Sequence, residues 1–259
     1  MTTTELLRLP PRPAARWLQY AAAPRAYALA GRLLPVFAFA AALLGSCGLW
    51  LGFVAAPTDF QQGESYRIIY VHVPAAWLSM LIYLVLAFWA VLGWVLNTET
   101  SALLARALAP TGALMTALAL WTGALWGKPT WGTWWVWDAR LTSELILLFL
   151  YIGFIALQGS IDDARRADRA GALLALVGLV NLPVIYFSVR WWNTLHQGAS
   201  LKLGAAPSMA APMLQALIVC TLALWAYAIA AVLARFRNLV LERAAGSAWV
   251  QRLRAEGAL

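Results

Sequence analysis

Apolar residues in this chain come in long unbroken runs rather than in stripes. Six such runs stand out: Leu34 to Ala55, Ala75 to Leu96, Leu104 to Trp126, Thr142 to Gly159, Gly171 to Phe187 and Pro212 to Leu233, and within them only Arg106 and Glu144 carry charge. A helix lying on a water-soluble core would leave one face polar, and a barrel strand would alternate apolar with polar residues; neither period is present. Each run approaches the roughly 20 apolar residues that a helix needs to cross about 30 Å of hydrocarbon. The pattern predicts an all-α polytopic membrane protein with six transmembrane helices, a single membrane domain in which residues 34–233 form the spanning region.

Composition agrees with that pattern. Apolar types make up 63% of the 259 residues and charged types 12%, and the mean hydropathy is +0.71. So little polar material cannot coat a soluble globule, which leaves membrane lipid as the solvent. The net charge of +8 would suit nucleic acid in a soluble protein, but here the cations sort by side of the membrane. Fourteen fall on one side: Arg8, Arg12, Arg16, Arg25 and Arg32 before the first run, Arg106 after the second, Arg165, Arg166 and Arg169 after the fourth, and Arg235, Arg237, Arg243, Arg252 and Arg254 after the sixth. Five fall on the other: Arg67, Lys128, Arg140, Arg190 and Lys202. The positive-inside rule then puts both the N-terminal segment 1–33 and the tail 234–259 in the cytoplasm, and no nucleic acid is expected as a partner. The first run is too long for a signal-peptide core, although Val54, Ala55 and Ala56 imitate a cleavage site, so it reads as an uncleaved anchor. Cys47 and Cys220 both lie inside predicted spans without metal or redox spacing and read as buried, unreactive thiols.

The connections on the cytoplasmic side, Asn97 to Ser101 and Asp162 to Arg169, are short and ordinary. The three on the outer side, Pro57 to Pro74, Gly127 to Leu141 and Ser188 to Ala211, are rich in aromatic residues and hold both histidines of the chain. Trp126, Trp131, Trp134, Trp135 and Trp137 crowd the middle loop, with Trp191 and Trp192 at the third. An interfacial belt spreads its aromatic rings over both faces of a bilayer, whereas a rigid platform for a planar ring gathers them at one place; indole serves either purpose. Lys128 and Arg140 stand beside these rings as partners for anionic edges. Asp138 fits the N-cap of a helix starting near Ala139, and Glu144 near the mouth of the fourth span fits helix-start chemistry. His72 ends the first outer loop and His196 lies in the third. Singly, each is an ordinary hydrogen-bonding histidine; as a pair on one side they offer two axial imidazoles for haem iron, while two histidines without cysteine or a carboxylate cluster make a poor zinc site.

The segment Trp131-Gly-Thr-Trp-Trp-Val-Trp-Asp-Ala-Arg-Leu-Thr-Ser-Glu144 resembles the tryptophan-rich WWD signature of membrane haem-handling proteins. Together with six spans, one histidine in each flanking outer loop and the phrase Tyr186-Phe-Ser-Val-Arg-Trp-Trp-Asn-Thr-Leu-His196-Gln, nearly the whole chain resembles the haem exporter C family of the cytochrome c maturation system. That resemblance implies a bacterial inner-membrane protein, not an enzyme, that presents haem b at the periplasmic face and delivers it to a periplasmic haem chaperone. It makes His72 and His196 the axial ligands and the middle-loop tryptophans the platform. It also implies an ATP-binding cassette complex and a small single-span accessory protein as partners. Two rival classes stand beside it. A secondary transporter would place its site at mid-membrane on interrupted helices, and Pro183 beside Asn181 is the nearest candidate for that. A cytochrome c synthetase would need an outer domain to hold its apocytochrome, and none is evident.

Overall fold

The computed structural model describes residues 18–192, 194–196 and 208–257. Arg8, Arg12, Arg16 and the prolines Pro10, Pro11 and Pro13 lie outside the described residues, as do Asn193, Gln197, Gly198 and Lys202 of the third outer loop. Helix α1 (Ala23–Trp50) runs on into a π turn (Leu51–Ala55), and a 3-10 segment (Glu64–Ile68) leads into α2 (Ile69–Leu96). Then follow α3 (Glu99–Trp131), α4 (Ala139–Ser160), α5 (Ala164–Gly178), α6 (Asn181–Trp191), α7 (Ala211–Arg243) and a short α8 (Ala248–Ala255). No strand occurs among the described residues. Six helical stretches are long and apolar enough to cross a bilayer, with α5 and α6 counting together as the fifth. The expected all-α architecture with six spanning helices is therefore the observed one.

The spans are longer than their apolar runs. α3 begins at Glu99 rather than Leu104 and ends at Trp131 rather than Trp126. The first outer loop was expected to reach Pro74, a residue that often marks a helix start, yet helix begins at Glu64 and Pro74 sits buried inside α2. Packing overrides the proline there: Tyr66, Ile69 and Tyr70 are buried with Met213, Ala216 and Leu217 of α7, which holds the turn before Pro74 in place. His72 is consequently a helical residue rather than a loop residue. The fifth span is broken at Leu179–Val180, where the bonds tighten to Leu179 N–H to the Leu176 carbonyl at 3.2 Å and Val180 N–H to the Val177 carbonyl at 3.3 Å. Pro183 has no N–H to give the Leu179 carbonyl, so the ladder cannot continue through it.

α2 and α3 form a hairpin across Asn97 and Thr98, with Asn97 in the left-handed conformation (φ 51°) and its N–H capping the Gly93 carbonyl. α1 packs along α7, and α4 lies against α3, α5 and α6. Tyr83 and Tyr151 fill the interior with rings edge-to-face at 5.1 Å. The Tyr151 hydroxyl donates to the Ser79 carbonyl at 2.7 Å and the Tyr83 hydroxyl to the Leu174 carbonyl at 3.4 Å. Where no water is available, such internal partners are obligatory. Cys220 is buried as expected, but Cys47 is exposed, because α1 turns much of its surface outward, Phe39 and Trp50 included.

Six crossings bring the first and last spans back to one end of the bundle. There Tyr27 of α1 meets Trp249 of α8 with ring centroids 5.7 Å apart, and the Arg237 guanidinium lies over the Tyr27 ring at 4.5 Å. The two histidines occupy the opposite end.

Candidate functional site

The end of α3 builds one wall of the site. Its buried face carries small or hydroxyl residues at Thr116, Ala119, the adjacent pair Thr122 and Gly123, and Gly127, steps of three or four along one face, so that neighbouring side chains can approach the helix backbone. His72 of α2 uses that opening. Its Nδ1 is 3.1 Å from the Ala119 carbonyl and 3.1 Å from the Thr122 hydroxyl oxygen. A carbonyl only accepts, so Nδ1 carries the proton, and in the neutral ring Nε2 is then the nitrogen with a free lone pair. Gly123 leaves room for the ring: a Cβ there would stand 3.0 Å from His72 Cε1. Beyond Gly123, the Trp126 ring meets His72 edge-on at 5.7 Å, and its indole N–H donates to Gln62 Oε1 at 2.6 Å.

His196 approaches from the segment after α6. Its ring lies 5.1 Å from that of Trp131, and its backbone N–H donates to the Thr194 hydroxyl at 3.0 Å. The Thr194 hydroxyl donates in turn to Asp138 Oδ2, while Asp138 Oδ1 caps α4 by accepting from Leu141 N–H at 2.8 Å. One carboxylate thus starts α4 and ties the His196 segment to it. His196 Nδ1 is buried and has no hydrogen-bond partner among the described residues. Burial, then the nearby Arg140 and His72, lower the His196 pKa to about 3, so the imidazole is neutral near pH 7.

The two imidazole rings face one another with centroids 6.4 Å apart and planes inclined by 43°. An imidazole nitrogen binds a transition metal at about 2 Å and lies about 1 Å from its own ring centre, so two imidazoles on opposite sides of one ion stand about 6 Å apart. The observed spacing fits a shared metal ion. So do the free Nε2 of His72 and the orphaned nitrogen of His196, which is the chemistry that bis-imidazole ligation of haem iron requires.

The other sequence-chosen residues divide. Arg140 lies close enough to both histidines to act on them electrostatically, and one of its N–H groups is fixed by the Ile185 carbonyl at 3.2 Å. The Lys128 ammonium donates to the Gly132 carbonyl at 3.0 Å, closing the end of α3 where Gly132 takes φ 79°. Trp135 and Trp137 pair with each other, centroids 5.4 Å apart, and line an open apolar groove of about 490 Å³ between α3 and α4 together with Trp121. Trp134 and Trp137 are 54% and 77% exposed, so the tryptophan-rich loop offers much of its ring surface outward. Of the tryptophans of that region, Trp126 and Trp131 are the two in ring contact with a histidine. Glu144 is not first-turn chemistry. It is buried well inside α4 and accepts from the Ser79 hydroxyl at 2.7 Å. Thr122, Gly123, Gln62 and Thr194 were not singled out from sequence; the spacing of small residues leading up to Trp126 was the available signal for the first two.

What emerges is a polytopic helical membrane protein with a paired-histidine, tryptophan-walled site at one end of its bundle. A family model described as Heme exporter protein C matches residues 16–251. The chain is 48% identical over 236 residues to Heme exporter protein C of Escherichia coli (strain K12), covering 91% of this chain and 95% of that one. It is 47% identical over 239 residues to the protein of that name from Haemophilus influenzae, covering 92% and 97%. A Marchantia polymorpha mitochondrial protein named for cytochrome c biosynthesis is 49% identical over 172 residues, covering 64% of this chain and 73% of that one. The chain belongs to the Heme exporter protein C family, whose members handle haem in the maturation of c-type cytochromes.

Proposed function

We propose that this protein holds haem b between His72 and His196 and delivers it to a periplasmic haem chaperone for c-type cytochrome biogenesis. The observation that carries the reading is the 6.4 Å separation of two imidazoles, each with a ring nitrogen not engaged by the described residues. Two axial imidazoles leave iron no open position for substrate chemistry, so the site suits storage and presentation of haem as cargo rather than turnover. The histidines have unequal roles. His72 is fixed in α2 by two partners at Nδ1 and is the standing ligand, whereas His196, on irregular chain after α6, is the one that lets go when haem leaves. Trp126 and Trp131 wall the ring, and Arg140, with donors to spare, meets the haem carboxylates. The exposed faces of Trp134, Trp137, Trp191 and Trp192 are where a chaperone would meet the haem edge.

The cation distribution supports an orientation with both termini cytoplasmic and the histidine end periplasmic, in the bacterial inner membrane. An ATP-binding cassette complex that releases loaded chaperone and a small single-span protein complete the proposed assembly.

The test is an absorption spectrum of the purified protein given haem. Wild type should show a low-spin signal. His196→Ala should convert it to a high-spin form still held by His72, and His72→Ala should lose most of the bound haem. A spectrum indifferent to both substitutions would remove the histidines from the account. Arg140→Ala should weaken chaperone loading.

The broken fifth span gives a transporter reading one observation of its own, since interrupted helices often carry transported solutes. Its polar residue is already engaged, however: Asn181 Nδ2 donates to the Ser143 carbonyl at 2.8 Å and ties α6 to α4. Vesicles containing the protein alone should therefore show no haem uptake into the lumen, and uptake would reverse the choice.

A further inference from the structure

Glu144 is a buried carboxylate in a membrane span, 8% exposed, and nothing in the haem-holding scheme uses it. Burying an acidic group there is costly unless another group offsets its charge. Its nearest cation in sequence is Arg140, four residues earlier and so on the same face of α4, a spacing at which Glu and Arg readily close into an ion pair. They have not closed. Among the described residues no carboxylate oxygen lies within 4.0 Å of the Arg140 guanidinium, although Glu144 and Asp138 both act on it electrostatically. Instead Glu144 Oε1 takes a hydrogen bond at 2.7 Å from Ser79 of α2, whose one hydroxyl proton it shares with the Ala76 carbonyl at 2.8 Å. Above it, Asp138 is committed to Leu141 N–H and Thr194. Arg140 itself is held at a single point, the Ile185 carbonyl, and its remaining donors make no hydrogen bond to the described residues.

We propose that Ser79 and Glu144 are positioning residues that keep Arg140 open: Ser79 restrains the Glu144 carboxylate, so that it balances the buried guanidinium from a distance without occupying its donors. The guanidinium thereby stays charged beside the two histidines with N–H groups available to the carboxylates of a bound ring. This rests on the reading of the histidine site as a haem site, and it adds a specificity: for a ring bearing free carboxylates over the same ring with those groups esterified. An ion-paired Arg140 would lose that discrimination, because a neighbouring carboxylate would already hold its fork.

The experiment titrates the purified full-length protein with haem and, separately, with haem dimethyl ester, and compares the two dissociation constants. Wild type should prefer the free acid. Ser79→Ala leaves the charge of Glu144 but frees it to close on Arg140, so preference for the free acid should fall about tenfold, the usual order for loss of an outer-layer partner. Ester affinity and the low-spin spectrum should be unchanged, which separates this effect from misfolding. Adding Glu144→Gln to Ser79→Ala removes the competing charge and should restore the preference, a rescue that a purely structural hydrogen bond would not give. Preference unaltered in Ser79→Ala, or not restored in the double variant, overturns the proposal. So does a wild type indifferent to esterification, although the histidine site would then still stand. If His72→Ala and His196→Ala bind both rings like wild type, the histidine site falls and takes this proposal with it.

Discussion

The site depends on a few contacts whose tolerance is small. At Gly123 the helix backbone and the His72 ring are so close that one added methyl must push the imidazole aside, since a Cβ would sit 3.0 Å from Cε1. Close-packed interiors absorb such insertions poorly, typically at about 1–3 kcal/mol. Gly123→Ala should therefore weaken haem binding and broaden the low-spin spectrum while the protein still purifies as a folded species. An unchanged spectrum would mean that the ring is not seated against α3. The same residue explains what was and was not legible beforehand. His72, His196, Trp126 and Trp131 announce themselves by chemistry, because the chain has two histidines and its tryptophans crowd the loops that hold or flank them, both visible in the sequence. Gly123 and Thr122 do not, since a glycine or threonine in an apolar run is indistinguishable from ordinary packing until the helix that approaches it is known.

Among the elements, the start of α4 matters most. Asp138 joins two tasks, capping α4 through Leu141 N–H and accepting from Thr194 on the His196 segment. Loss of an N-cap costs about 0.5–2 kcal/mol, and Asp138→Ala should lower the melting temperature in detergent and reduce haem occupancy together. Asp138→Asn keeps an oxygen for the cap and should recover most of the stability; equal melting of wild type and Asp138→Ala would show that the cap contributes nothing. The cap itself was readable, because an acidic residue before Ala-Arg-Leu is a common helix start. Helix ends elsewhere were misjudged for one recurring reason. Apolar runs mark where lipid is met, whereas helices continue until their backbone bonds are otherwise satisfied, as at Asn97 and Gly132. The break at Leu179–Val180 was hinted at by Pro183, but its place four residues before that proline follows from which carbonyl loses its regular helical donor: the Leu179 carbonyl accepts from Leu182 N–H at 3.2 Å instead.

Taken whole, the molecule separates its two ends. The histidine end carries the site, and the opposite end is fastened by arginines that reach between helices: Arg243 lies 3.4 Å from Glu99 and 3.5 Å from Asp168, and Arg237 stacks on Tyr27, itself in contact with Trp249. α8 seats there with Val250 fully buried, so the tail is part of the packed structure. With the length of the spans between them, the groups named at the two ends share no side-chain partner among the described residues, and substitutions at such separated sites add nearly independently. Trp249→Ala should thus lower the melting temperature in detergent, by the loss of a large ring and of its contact with Tyr27, worth about 2–4 kcal/mol. At a temperature where the variant remains folded, its haem spectrum and its preference for free carboxylates should match wild type. If Trp249→Ala instead alters the low-spin signal of the folded protein, the ends are coupled through the spans, and the site would have to be understood as one face of a bundle that moves as a unit.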